Sequence, residues 1–329
     1  MENNNTENTD SYDILIIGAG AAGMSAAQYA ARANLRTLVL EEKSEGGQAV
    51  YIDRLENYPG IPEPVNGFDF AVAMKNQAKS FGAEFLRARV CGIEKTGGAE
   101  DGYEVTVETG SAGAHTQKIR TSCIILATGA EHRKLGVPGE AEYFGRGVSY
   151  CATCDGPFFR NKRIVVVGGG DAACDEANFL SRLTGKVTMI HRKPSFRAQK
   201  AVADKVLSNP NIRVIFNTVV TEIQGGPEGT VSSVALRNVA DGETSQLPCD
   251  AVFIFVGMTP RTELAATIRT DGNGYIVTDE NMATSVPGIF AAGDIRAKPF
   301  RQIITAAADG AVAAHSAAEY LAARKAPGN

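Results

Sequence analysis

The chain has 329 residues, 44% hydrophobic and 21% charged, with 35 glycines and no tryptophan, an ordinary globular composition long enough for two domains with substantial cores. Its net charge of −4, without a long run of either sign, argues against a nucleic-acid partner. No apolar run approaches the roughly 18–20 residues needed to span a bilayer, which argues against a membrane protein. Residues 1–10 are polar and lack the basic and apolar parts of a signal peptide, so residues 1–11 read as a disordered tail. Of six cysteines only Cys151 and Cys154 lie close together; one such pair without an export signal points to a reducing cytoplasm, and the scattered thiols read as small buried apolar residues.

Residues 12–17 (YDILII) are an apolar, β-favouring run that reads as a buried strand. It enters G-A-G-A-A-G at 18–23, followed by an Ala-rich helix over 24–33 and a strand over 36–40 that ends at Glu41. The acid stands 18 residues after Gly23. In this pattern Gly18 permits the tight turn, Gly20 lets backbone approach a pyrophosphate, and Gly23 lets helix pack closely on strand. The helix N-terminus offers free N–H groups to phosphates, and Glu41 can accept the ribose hydroxyls of an adenosine. A lone glycine motif is weak evidence, but strand, turn, helix, strand and acid together indicate nucleotide binding.

A glycine pair at 46–47 and a Pro/Gly-rich loop over 57–64 follow, then a helix over 67–80. Alternation at 103–107 predicts a half-buried strand, with 117–120 as its partner across a hairpin. Residues 123–130 predict a buried strand ending in a glycine turn, and the first domain crossover is placed just after it.

Then comes C-A-T-C-D-G at 151–156. A Cys-x-x-Cys pair cycles between dithiol and disulfide, and its geometry tends to lower one thiol's pKa. Asp155 adds a carboxylate able to move a proton as thiols form and leave. A zinc half-site or an inert pair are the alternatives; a structural zinc site usually needs four ligands, and the chain has no second Cys-x-x-Cys and no His-x-x-x-His.

A second nucleotide unit begins at once: a strand over 163–167, G-G-G-D-A-A at 168–173 with Ala173 at the third motif position, a helix to about residue 183 and a strand over 186–190. In place of an acid comes H-R-K-P-S-F-R at 191–197. Arginine and lysine there would pair with a 2′-phosphate that an acid would repel, so this unit prefers NADP over NAD. Short strands over 212–256 lead to a second crossover at 257–260. Near the end, A-A-G-D at 291–294 terminates a strand and delivers a carboxylate; Arg301-Gln302 and an Ala-rich helix over 303–323 follow.

In content and order these motifs resemble the bacterial low-mass thioredoxin reductase family over almost the whole chain, 12–323. The redox pair lies beside the second glycine motif, whereas glutathione reductase-type enzymes carry it after the first; residues 46–60 hold no cysteine. The resemblance implies an α/β fold of two Rossmann-like βαβ domains. The FAD domain (12–129 and 258–329) would be split by an inserted NADPH domain (130–257) carrying the cysteines. It implies FAD contacted by Gly18, Gly20, Gly23, Glu41, Glu42, Gln48, Asn57, Asp294, Arg301 and Gln302. It implies NADPH on Gly168, Gly170 and Ala173, with His191, Arg192, Lys193 and Arg197 around the 2′-phosphate. The family usually has arginine where Lys193 stands; lysine keeps the charge and loses the bidentate fork.

By the same resemblance hydride passes from NADPH to FAD, FAD reduces Cys151–Cys154, and the dithiol exchanges with oxidised thioredoxin. Cys154 would face the flavin, Cys151 would attack thioredoxin and Asp155 would serve as acid and base. The NADPH domain would rotate between half-reactions about hinges near Gly129 and Gly257, in a homodimer. Arg146, Phe158 and Phe159 are candidates for docking thioredoxin, with ordinary loop packing as the alternative. The flavoprotein subunit of alkyl hydroperoxide reductase carries an extra N-terminal portion, and a ferredoxin-driven reductase would not need the second glycine motif and its basic cluster. A flavin-bearing redox sensor would show no turnover.

Overall fold

The computed structural model describes residues 11–52, 55–97, 102–110 and 115–325; the expected N-terminal tail, apart from Ser11, lies outside them. In chain order come β1 (Ser11–Ile17), α1 (Ala21–Arg32), β2 (Thr37–Glu41), α2 (Gly67–Ser80), β3 (Glu84–Arg87), β4 (Arg89–Thr96), β5 (Gly102–Thr109) and β6 (His115–Leu126). The crossing strand β7 (Ala130–His132) leads to β8 (Val148–Ser149), α3 (Ala152–Asp155), β9 (Ile164–Gly168), α4 (Asp171–Leu180), β10 (Val187–Ile190), α5 (Lys200–Leu207) and β11 (Ile212–Ile215). Then follow β12 (Thr218–Gly225), β13 (Val231–Asn238), β14 (Thr244–Pro248), β15 (Ala251–Phe255), the returning crossing strand β16 (Met258–Pro260), β17 (Ile289–Ala291) and α6 (Ile303–Lys325).

Two compact units result. One takes the described residues up to Glu131 and from Pro260 onward; the other is His132–Thr259. Each division falls two residues later than the expected crossover, inside β7 and β16, because the crossing segments are themselves strands.

The first unit is built on a seven-stranded sheet of order β3-β2-β1-β6-β5-β4, with β17 also paired to β6. β1, β2, β3 and β17 run parallel to their neighbours, whereas β4 and β5 are antiparallel. Apolar residues occupy successive positions of β1 because both sheet faces are covered: Ile14 and Ile16 pack towards α1 and α6, Leu15 and Ile17 towards the opposite cluster. Full burial of such a side chain contributes roughly 1.5–3 kcal/mol, so no polar alternation survives here.

β6 corrects the reading of 117–120 and 123–126 as separate elements. It is one twelve-residue strand. Its first half pairs with β5 and its last three residues with β17, while β1 runs along its other edge. Its N-terminal half reads as polar because residues 115–118 are exposed.

The second unit has a five-stranded parallel sheet, β11-β10-β9-β15-β8, and a three-stranded antiparallel sheet, β12-β13-β14. β9 repeats the two-sided burial: Ile164 and Val166 face one core, Val165 and Val167 the other. In both units the chain reverses its winding beside the central strand, β1 against β6 and β9 against β15. In open α/β sheets ligands bind at the carboxyl ends of strands at such a switch.

Candidate functional site

In the first unit the glycine turn after β1 opens into a cleft of about 460 Å³ at the carboxyl ends of β1 and β6. Gly18 takes φ 105°, which favours glycine, and a side chain there would strike the Ala127 carbonyl. α1 starts at Ala21, three residues before the sequence reading placed it, and Gly20 caps it without a side-chain bond. Its first N–H groups therefore point to the cleft free of side-chain acceptors. Gly23 lies inside the helix against the Gly18 carbonyl and Ile16, so it serves packing and does not line the cleft.

Glu41 does more than end β2: one oxygen accepts from Ala19 N–H at 2.8 Å and the other from Lys43 N–H at 3.0 Å, which ties strand to glycine turn. Glu42 lies 3.2 Å from Arg261 and 3.8 Å from Arg89. Gln48 donates to the Ala130 carbonyl at 3.2 Å. Asn57 donates to Gln302 Oε1 at 3.1 Å, joining two expected site residues from distant parts of the chain, although only Gln302 lines the cleft itself. Arg301 does not line it either. Its guanidinium lies 3.9 Å from the Tyr275 ring centroid and donates to the Arg296 carbonyl at 3.0 Å.

Asp294 reaches the cleft from the turn after β17. Burial pushes its carboxyl above the usual range, against the pull of Lys298 and Arg301. Lys298 Nζ stands 3.5 Å from Asp294 Oδ1, and among the described residues that buried oxygen accepts no hydrogen bond. Behind it lies a charge cluster that sequence reasoning missed. Asp309, 9% exposed on α6, meets Arg296 at 2.8 Å, Lys298 at 3.0 Å and Gly293 N–H at 3.1 Å. The available signal was an aspartate on the buried face of an alanine-rich helix. An uncapped helix start, a buried acceptor without a donor and a cleft of ligand size together fit a long molecule with phosphates at one end and hydroxyls further along.

In the second unit α4 starts after Gly170, again without a side-chain cap bond. Asp171 holds the segment after the basic turn, accepting from Gln199 N–H at 2.7 Å and from Gln199 Nε2 at 3.1 Å. Arg197 N–H donates to the Gly169 carbonyl at 2.7 Å, bringing the basic turn against the glycine turn. Arg192, Lys193 and Arg197 are exposed. His191 is not. It is 6% exposed, with its ring against Gly169 where any side chain would collide. Burial lowers its pKa, opposed by a hydrogen bond to the Ser195 backbone, and the buried ring backs the glycine turn while the three cations after it reach solvent. Ala173 is also buried, its methyl against Gly168. The helix expected to reach 183 ends at Leu180.

The same unit carries a Cys151–Cys154 disulfide with 5.4 Å between Cα atoms. Cys151 caps the four-residue α3, its sulfur accepting from Cys154 N–H at 3.1 Å. Cys154 is exposed, while Cys151 and Asp155 are half-buried. Joined as a disulfide, the two sulfurs fit a redox pair, and among the described residues no group of three or more His, Cys, Asp or Glu side chains is placed to hold a metal ion. Phe158 is 80% exposed and Arg146 is exposed, but Phe159 turns inward, edge-on to Phe253 at 6.1 Å.

A profile of the pyridine nucleotide-disulphide oxidoreductases matches residues 12–310. The thioredoxin reductase of Treponema pallidum (strain Nichols) is 59% identical over 310 residues, covering 94% of this chain and 97% of that protein. The chain belongs to the pyridine nucleotide-disulphide oxidoreductase family, in its thioredoxin reductase branch. Within that family the thioredoxin reductase of Bacillus subtilis (strain 168) is 44% identical over 311 residues, 94% of this chain and 95% of the relative. The crystal structure of Lactococcus lactis thioredoxin reductase in the FR conformation superposes with a TM-score of 0.89 at 42% identity, covering 95% of this chain and 99% of that one. Family membership accounts for two glycine turns and one cysteine pair in a single chain.

Proposed function

We propose that this protein is an NADPH-dependent thioredoxin-disulfide reductase containing FAD. The observation that carries the reading is the Cys151–Cys154 disulfide in the unit that also holds the second glycine turn and its exposed cations. FAD would lie in the first unit's cleft, its pyrophosphate at the start of α1 and its adenosine ribose by Glu41, with Glu42 and Gln48 beside it. Asp294 would accept from ribityl hydroxyls, and Gln302, steadied by Asn57, would meet the ring system. NADPH would lie on Gly168 and Gly170, with Arg192, Lys193 and Arg197 as partners for the 2′-phosphate.

Bound flavin and nicotinamide supply the hydride chemistry that delivers two electrons to the disulfide. The chain's own residues perform the exchange. The Cys151 thiolate attacks a thioredoxin sulfur, breaking that disulfide and forming a mixed one. The Cys154 thiolate then attacks Cys151, restoring Cys151–Cys154 and releasing the thioredoxin dithiol. Asp155 gives and takes the protons. Phe158 and Arg146, the exposed members of the docking set, would receive thioredoxin.

Both crossings contain a glycine at positive φ, Gly129 at 68° and Gly257 at 121°, and we place the hinges of a domain rotation there. The lone redox pair suits a reducing compartment, and the likeness to bacterial thioredoxin reductases supports a cytoplasmic homodimer; among the described residues no helix is long and apolar enough to cross a membrane. The test is oxidation of NADPH by the purified protein with oxidised thioredoxin as acceptor. Multiple turnovers abolished by Cys154→Ser support the reading. Bleaching of the flavin without turnover would overturn thioredoxin as acceptor.

A further inference from the structure

The redox helix α3 is four residues long and its upstream support, β8, is a two-residue strand at the sheet edge. So short a ladder does not by itself hold two sulfurs in place. A second anchor stands one residue before Cys151. Tyr150 donates its hydroxyl to Glu140 Oε1 at 2.6 Å. Glu140 is only 4% exposed, and its carboxylate also accepts Leu135 N–H at 2.8 Å and Gly136 N–H at 2.7 Å. Burying a carboxylate is costly unless its oxygens are satisfied; with three donors Glu140 forms a fixed socket. The Tyr150 ring is flanked by His132 at 6.0 Å and Phe144 at 5.8 Å. On the downstream side Gly156 packs against Leu180 and Leu183 of the core. The Cys-x-x-Cys segment is thus held at both ends, by packing at Gly156 and by a hydrogen bond at Tyr150.

We propose that Tyr150, through its hydrogen bond to Glu140, is a positioning residue that keeps Cys151 and Cys154 in register and thereby sets the reduction potential of the pair. This rests on the reading of that pair as the redox disulfide. A protein disulfide is favoured over its dithiol in proportion to the effective concentration of one sulfur at the other. Releasing the upstream anchor lowers that concentration, so the disulfide becomes easier to reduce.

The test is Tyr150→Phe in the intact flavoprotein. Phenylalanine keeps the ring contacts, and Glu140 keeps both backbone donors, so the socket persists. Wild type and variant are equilibrated with mixtures of reduced and oxidised dithiothreitol. Each reduced molecule closes to its cyclic disulfide, giving two electrons and two protons to open Cys151–Cys154; alkylation and mass measurement then count the thiols. The expected result is a threefold or greater fall in the equilibrium constant for disulfide formation, about +14 mV at roughly 30 mV per tenfold. Phe144→Ala, which removes a ring neighbour but no hydrogen bond, should leave the potential in place. An unmoved potential in Tyr150→Phe, or an equal shift in Phe144→Ala, overturns the proposal. If the wild-type pair itself cannot be cycled, both the proposal and the redox reading fall; a wild type that cycles with an unmoved variant overturns the proposal alone.

Discussion

At the scale of single residues, burial separates the thiols. Cys123, Cys174 and Cys249 are buried, and burial pushes each thiol up to about 12, so they are inert near neutral pH. Cys91 is exposed. Iodoacetamide should therefore modify Cys91 alone in the native oxidised protein, and Cys91, Cys151 and Cys154 after mild reduction, as read by peptide mass. The exposed cations that we assign to the 2′-phosphate are equally separable. A charge-assisted hydrogen bond is worth about 1.5–3 kcal/mol, so Arg197→Ala should raise the KM for NADPH by about tenfold or more and leave that for NADH nearly unchanged. Lys193→Arg, restoring the fork, should increase the preference for NADPH.

His191 titrates in the opposite sense from a salt-bridged histidine. Its folded pKa lies below the ordinary value, so the unfolded chain binds more protons between the two. Stability is full above the unfolded pKa, about 6.5, and falls as pH drops below it towards the folded value. Urea unfolding at pH 7.5 and 5.5 should show the second unit losing stability on acidification, with a smaller loss in His191→Gln.

At the scale of elements, what could be read from sequence was what local physics decides alone. The runs at 12–17 and 163–167 announce strands buried on both faces, and the glycine turns after them follow from helix and phosphate geometry. β3, β4 and α5 were not foreseen because their burial is partial and their patterns are mixed. The Tyr150–Glu140 bond and the Asp309 cluster could not be read because their members meet only once the chain has folded. Arg296, Lys298 and Asp309 span a strand-to-helix turn; Glu140 and Tyr150 face each other across a loop. α6 also shows why a charge on an apolar helix face is informative: Gly310, the next residue, lies against the Ala22 carbonyl of α1. Asp309→Asn removes the carboxylate from the mostly buried Arg296 and leaves Lys298 with the carboxylate of Asp294, and breaking such a buried pair costs about 3–5 kcal/mol. Unfolding midpoints should fall accordingly, and bound flavin, measured by absorbance after gel filtration, should drop below one per chain.

At the scale of the whole molecule, the disulfide and the second glycine turn lie in one unit and the cleft proposed for the flavin lies in the other. On the proposed function both would serve one flavin, and the proposed hinge motion would bring each to it in turn. A cross-link that fixes them should stop turnover while FAD and NADPH remain bound, as absorbance and dialysis would show; unimpaired turnover would contradict the hinge.

The central claim is that electrons reach thioredoxin from NADPH through Cys151–Cys154. Its most direct measurement is anaerobic turnover of the flavoprotein with oxidised thioredoxin and either NADPH or NADH, in wild type and Cys154→Ser. The account predicts rapid NADPH oxidation, slower NADH oxidation and none in the variant. Turnover that survives Cys154→Ser, or bleaching by neither nucleotide, would contradict it.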